Sequence, residues 1–251
     1  MISGAMGTAT LQADFKLAIL GAEGCGKTTY AGMLYLLLAH GKLASLRFAG
    51  SESVRQLEEV HSHLTRPHAE GGPLFPPRAS RSLHLGLRRS QDDRTVDLFF
   101  PELPGEVWTA GRLPESLAYL GDMSGYVVFL DATSLGMAAL GKAQLLFESL
   151  LSLKKTTNLE QPVAIVLSKW DAIGKSLSPD TFVKERLGGL AEWFEGHFAH
   201  YRTFGVSAVG AVANGAPAPE PRDEGPLRLY RPRNVSEPLT WLLSELGGGR
   251  P

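Results

Sequence analysis

The stretch GAEGCGKTT, Gly21 to Thr29, decides how the rest of the chain is read. It follows the apolar run FKLAIL, Phe15 to Leu20, and opens the helix-forming run KTTYAGMLYLLLAH, which stops at Gly41. This strand, glycine-rich turn and helix carry the pattern G-x-x-x-x-G-K-[ST], with Gly21, Gly26, Lys27 and Thr28 in register. Each residue type has a physical reason to be there. Glycines let main-chain N–H groups close around phosphate oxygens, and the helix N-terminus adds partial positive charge. Lys27 neutralises the outer phosphates, Thr28 offers a hydroxyl to Mg²⁺, and Thr29 reaches the innermost phosphate. Glu23, Gly24 and Cys25 complete the cradle, with Cys25 read as a small filler rather than a reactive thiol.

Outward from that loop, strands and helices alternate. SESVRQLEEVHSHL offers Ser51 as a helix N-cap, with Val54, Leu57, Val60 and Leu64 at helical spacing. SLHLGLRR and TVDLFFPEL read as a hairpin across the polar SQDDR. GYVVFLDATS and QPVAIVLSKWD are near-continuous apolar runs, the pattern of strands covered on both faces. GMAALGKAQLLFESLLSLKK lies between them as a crossover helix, DTFVKERLGGLAEWFEGHF reads as one further helix, TFGVSA as a last short strand, and SEPLTWLLSEL as a closing helix. The order predicts a three-layer α/β domain with a mostly parallel sheet and one antiparallel edge strand. We expect a tail over 1–14, one domain over 15–246 and a short tail over 247–251. Within the domain, a helical and loop insertion is expected over 42–80 and a mobile Pro/Ala-rich loop over 213–226.

Composition narrows the function classes. The chain has 251 residues, with Lys and Arg numbering 25 against 26 for Asp and Glu, a net charge of −1. No global field recruits nucleic acid or an anionic membrane surface. The single cysteine excludes an internal disulfide framework and multi-cysteine metal clusters, and it fits a reducing compartment, the cytoplasm. The seven histidines have no ligand spacing, and no apolar run is long and uninterrupted enough to span a bilayer.

Three further stretches fall where GTPases carry their signatures. SKWD, Ser168 to Asp171, resembles N-K-x-D with serine in place of asparagine, and GVSAVG resembles the S-A element. The resemblance implies that Asp171 accepts from the N1–H and 2-amino group of guanine, that the Lys169 stem packs along the base, and that Ser207 and Ala208 bring a main-chain N–H to the guanine oxygen. Adenine lacks those donors and leaves the carboxylate unpaired. PELPGE, Pro101 to Glu106, stands where the family carries D-x-x-G. Gly105 is then the γ-phosphate sensor, Glu102 replaces the metal-holding aspartate, and Glu106 occupies the position of the glutamine that orients water. A carboxylate there cannot donate as an amide can, which implies slow turnover. In PPRASRS, Ser80 is the candidate for the first switch's metal-coordinating hydroxyl, with Ser82 second; Arg78 and Arg81 flank it.

Together with RPRNVSEPLTWLLSEL, these motifs resemble the TRAFAC-class P-loop GTPases over about Phe15 to Leu246, and within them the bacterial double-GTPase type. The resemblance implies the Ras-like fold, GTP or GDP with Mg²⁺ as ligands, and a regulatory or effector protein that reads the switches, with a homodimer as a further option. Glu102 and Ser168 depart from the commoner pattern. Two other functions stay open: a module that binds GTP with little hydrolysis, and a P-loop ATPase.

Overall fold

The computed structural model describes residues 13–65, 82–103, 113–173, 177–210, 212–213, 216–217 and 231–247. The apolar run after Asp14 forms β1 (Phe15–Gly21) and the run after the glycine-rich turn forms α1 (Lys27–Ala39). β2 (Leu46–Gly50) and α2 (Val54–Thr65) follow, then the hairpin β3 (Leu83–Arg89) and β4 (Thr95–Phe100). A 3₁₀ turn over Glu115–Asp122 leads into β5 (Gly125–Asp131), α3 (Met137–Lys154) and β6 (Val163–Ser168). After α4 (Pro179–Arg186) and α5 (Gly188–His197) come β7 (Tyr201–Val206), the two-residue ribbon of β8 (Val212–Ala213) with β9 (Ala216–Pro217), and α6 (Glu237–Gly247).

The seven-stranded sheet runs β2-β3-β4-β1-β5-β6-β7. β1, β4, β5, β6 and β7 pair in parallel, and antiparallel pairing is confined to the β2–β3–β4 end. Alternation along the strands sorts the core onto two faces. Leu17 and Ile19 of β1 pack with Leu34, Leu57 and Leu239 from α1, α2 and α6, whereas Ala18 and Leu20 pack with Phe147, Phe182 and Phe194 from α3, α4 and α5. The expected three-layer α/β architecture is therefore the observed one.

The differences lie at the sheet edge and in the helices. β2 sits inside the stretch read as helix and loop. Only Leu46 of its five residues is buried, so the apolar alternation that marks a strand is missing. Ser51 does not cap α2; its hydroxyl donates to the His84 carbonyl and accepts from the Ser53 N–H, while the Ser53 carbonyl takes the Leu57 N–H. The connector from β2 to α2 is thereby docked on β3. His84 completes the joint: its Nδ1 accepts from the Glu52 N–H at 3.1 Å and its Nε2 donates to Asp97 Oδ1 at 3.2 Å, so two buried polar side chains in adjacent strands are both satisfied. The helix expected over DTFVKERLGGLAEWFEGHF is two helices, broken at Leu187 (φ −120°) before the Gly188–Gly189 pair. Most of the Pro/Ala-rich stretch 213–226 and most of both expected tails lie outside the described residues, although Asp14 already pairs its carboxylate with the Thr95 N–H at 2.7 Å.

Candidate functional site

Parallel strands present their carboxyl ends to one side, and the site is built along that edge where β1 is flanked by β4 and β5. At the end of β1, Gly21 turns with φ 146°; a Cβ there would meet the Phe129 carbonyl oxygen at 2.7 Å and Cys25 Sγ at 2.8 Å. The chain then passes through left-handed glycines at 24 and 26, and Gly26 is the N-cap of α1. The first turn of α1 has no acidic residue, so its positive end is not neutralised from within. Lys27 folds back over the loop, donating to the carbonyls of Gly21 at 2.6 Å and Ala22 at 2.9 Å. Thr28 and Thr29 lie half-buried on the same turn, and their hydroxyls have no protein partner among the described residues. Glu23 and Gly24 are exposed at the loop tip. Cys25 is buried under the loop, and burial, only partly offset by the Lys27 ammonium, pushes its thiol up from its ordinary value. It fills space, as its place against Gly21 requires.

The second cluster stands at the ends of β5, β6 and β7. Ser168 ends β6, donates its hydroxyl to the Leu130 carbonyl at 3.2 Å and lies about 4 Å from where a Cβ of Gly26 would sit, backing the phosphate loop. Lys169 is left-handed (φ 54°) and starts a 3₁₀ turn over Trp170–Ala172. Its ammonium lies 2.5 Å from Asp131 Oδ2, a residue at the end of β5 that sequence reasoning had not marked. Burial raises the Asp131 carboxyl, but hydrogen bonds from Lys169 and from the Thr133 hydroxyl and N–H outweigh it and hold it below the usual carboxylate value. The Asp171 N–H donates to Ser207 Oγ at 2.9 Å, tying the SKWD turn to the loop after β7 that carries Ala208. Trp170 lies flat on Gly205: a Cβ there would come within 2.5 Å of the indole.

The third cluster closes the other side of β1. The β1–β4 register pairs Ala18 with Phe99 at its last step, and Glu102 follows two residues after the end of β4. Glu102 is exposed, and its N–H donates to Ser82 Oγ at 3.2 Å, so the second candidate for the first switch's hydroxyl is spanned by the residue that would hold metal. Ser80, Gly105 and Glu106 lie outside the described residues, as do Arg78 and Arg81. No group of three or more His, Cys, Asp or Glu with metal-holding placement occurs among the described residues. A cavity of about 410 Å³ lined by Glu195, His200, Tyr201 and Trp241 opens at the amino-terminal end of β7, away from all three clusters.

A glycine loop between β1 and α1, with its lysine turned inward at the carboxyl edge of a parallel sheet, defines a P-loop α/β protein. The family model described as Double-GTPase 2 matches residues 16–220, and the chain belongs to that family. Among solved structures, the GTPase-like domain of S. cerevisiae Ski7 bound to GTP is 16% identical with a TM-score of 0.53, over 94% of this chain and 51% of that one. The Arl6 BBS3 small GTPase from Trypanosoma brucei is 11% identical with a TM-score of 0.46, over 93% of this chain and 97% of that one. A bacterial selenocysteine-specific elongation factor is 13% identical with a TM-score of 0.45, over 77% of this chain and 25% of that one. The chain thus spans a quarter of the solved elongation-factor chain and half of the solved Ski7 chain; the Ski7 likeness supports the fold. No curated protein matches.

Proposed function

We propose that the protein is a guanine-nucleotide switch that hydrolyses GTP to GDP and phosphate slowly. The observation that carries this is the joining of two clusters: the phosphate loop with Lys27, and a turn with Lys169 and Asp171 bonded to Ser207, stand on one sheet edge with Ser168 between them. A triphosphate laid along the loop N–H groups and Lys27 sends its base toward Asp171, whose carboxylate takes the two guanine donors. Ala208 offers its N–H to the base oxygen. Mg²⁺, when bound, would offset the charge that develops on the outer phosphates. Thr28, Glu102 and Ser80 are the residues to hold it, and the unpartnered Thr28 hydroxyl on the first turn of α1 fits that role. Gly105 senses the γ-phosphate, and Glu106 accepts from the attacking water without donating to the transition state. Water adds to the γ-phosphorus, the bond to the β-bridging oxygen breaks, and GDP leaves.

A partner protein that reads the switch segments would supply what Glu106 lacks. Action as a single domain in the cytoplasm, with or without pairing of two copies, belongs to the same reading. Among the described residues no helix is long and apolar enough to cross a membrane. The exposed Glu102 favours a second reading, a GTP-dependent binding module with little turnover, because a longer carboxylate stands where the family carries the aspartate that would hold the metal. Titration with GTP, GDP and ATP in Mg²⁺, followed by phosphate release over hours, separates them. Tight GTP binding with slow release supports the switch, tight binding with no release above buffer supports the module, and equal ATP affinity overturns the guanine assignment.

A further inference from the structure

We infer that residues 231–235 form a strap that fixes the base-reading loop, with Asn234 as its positioning residue; this rests on the guanine reading above. β7 is the last strand of the sheet, so the loop after it has no neighbouring strand on its outer side. Residues from beyond the Pro/Ala-rich stretch return to fill that side. The Ser207 N–H donates to the Arg233 carbonyl at 3.2 Å, the Arg233 N–H to the Ser207 carbonyl at 2.9 Å, and the Arg231 N–H to the Val209 carbonyl at 3.1 Å. The approach is close enough that a Cβ on Gly210, left-handed at φ 85°, would meet the Arg231 carbonyl oxygen at 2.5 Å.

Asn234 then takes a left-handed conformation, φ 57°, and its side-chain amide donates to the Gly205 carbonyl at 3.0 Å. One residue on, the Val235 carbonyl accepts from the buried Tyr30 hydroxyl at 2.8 Å, and Tyr30 stands three residues after Lys27 on α1. Five residues therefore join the main chain at 205, 207 and 209 to the helix that carries the phosphate lysine. Gly205 and Ser207 are also met by the Trp170 ring and by the Asp171 N–H. The strap takes alternate residues, as antiparallel pairing does, and leaves the Ala208 N–H without a protein partner among the described residues. A donor fixed in that way recognises the six-position oxygen of a purine. Asn234, at the Gly205 end of the strap, accordingly acts on base selectivity rather than on the phosphate loop.

The test compares GTP, on the full chain, with 2-aminopurine riboside triphosphate, which keeps the phosphates and the 2-amino group and lacks both the six-position oxygen and the N1–H. Asn234→Gly keeps the left-handed backbone and deletes the amide. Losing one main-chain-directed hydrogen bond should weaken GTP roughly three- to tenfold and leave the analogue unchanged, so that the selectivity ratio falls by the same factor. A variant that weakens both nucleotides equally, or keeps the wild-type ratio, overturns the strap. A wild type that binds the two nucleotides equally overturns the guanine reading, and the strap with it. Where Asn234→Gly does not fold, Tyr30→Phe releases the strap's other end: a reduced ratio supports the inference and an unchanged one overturns it.

Discussion

The two ends of the nucleotide site are built differently. On the proposed base side, Ser168, Lys169, Trp170, Asp171, Gly205 and Ser207 are each fixed by a hydrogen bond, an ion pair or a ring laid against backbone. On the proposed switch side, beyond the paired ends of β3 and β4, the Glu102 N–H donates to Ser82 Oγ at a solvent-exposed position. A site that must recognise one base gains from a preorganised partner, whereas a segment that must change state with the γ-phosphate cannot be locked by many contacts. Below the switches the contrast reverses, since the buried His84–Asp97 pair and the Ser51–Ser53 connector hold the hairpin base firmly.

Substitutions sharpen that comparison. Lys27→Ala removes the one cation inside the loop and should cost at least about a hundredfold in affinity for GTP and GDP alike, measured by calorimetry, because charged hydrogen bonds to phosphate are lost outright. Gly205→Ala forces a methyl into the Trp170 indole; overpacking of about 1–3 kcal/mol is expected, read as a lower denaturation midpoint together with weaker GTP binding. Ser82→Ala breaks the switch-side tie and should cost less, at most about 1 kcal/mol, with base selectivity unchanged. A Ser82→Ala loss larger than that of Gly205→Ala would refute the contrast between the two ends.

Asp131→Asn gives the smallest effect. The pair with Lys169 is half-exposed, so its loss is worth about 0.2–1 kcal/mol, seen as a GTP affinity lowered by a few-fold at most. The pH dependence has a defined sign. A carboxyl held below its unfolded value contributes fully above the ordinary carboxylate range and loses that contribution as pH falls through its lowered value. The stability difference between wild type and Asp131→Asn, from denaturation at several pH values, should be constant near neutrality and vanish in acid.

Much of this was legible in the residues because it is local. The phosphate loop is nine consecutive residues whose glycines have no other economical use, and the hairpin and the covered strands announce themselves by period and by β-branched runs. What escaped is long-range or edge-placed. β2 exposes three of its five residues, and the Asp131–Lys169 pair and the Asn234–Gly205 bond join positions 38 and 29 residues apart, which no window of sequence brings together. Ser51 has the right identity for a cap, but the same hydroxyl serves a strand carbonyl, and tertiary docking won over local preference. The Gly188–Gly189 pair did carry a signal for the helix break.

Guanine recognition through Asp171 is the central claim, and exchanging its carboxylate for an amide tests it most directly. GTP and xanthosine triphosphate are titrated against wild type and Asp171→Asn in Mg²⁺. The amide keeps one acceptor for guanine and turns its NH₂ against the other donor, which should weaken GTP by roughly one to two orders of magnitude, while xanthosine triphosphate, whose added carbonyl accepts from the new amide, binds the variant better than it binds wild type. GTP affinity that is unchanged in Asp171→Asn would contradict the account.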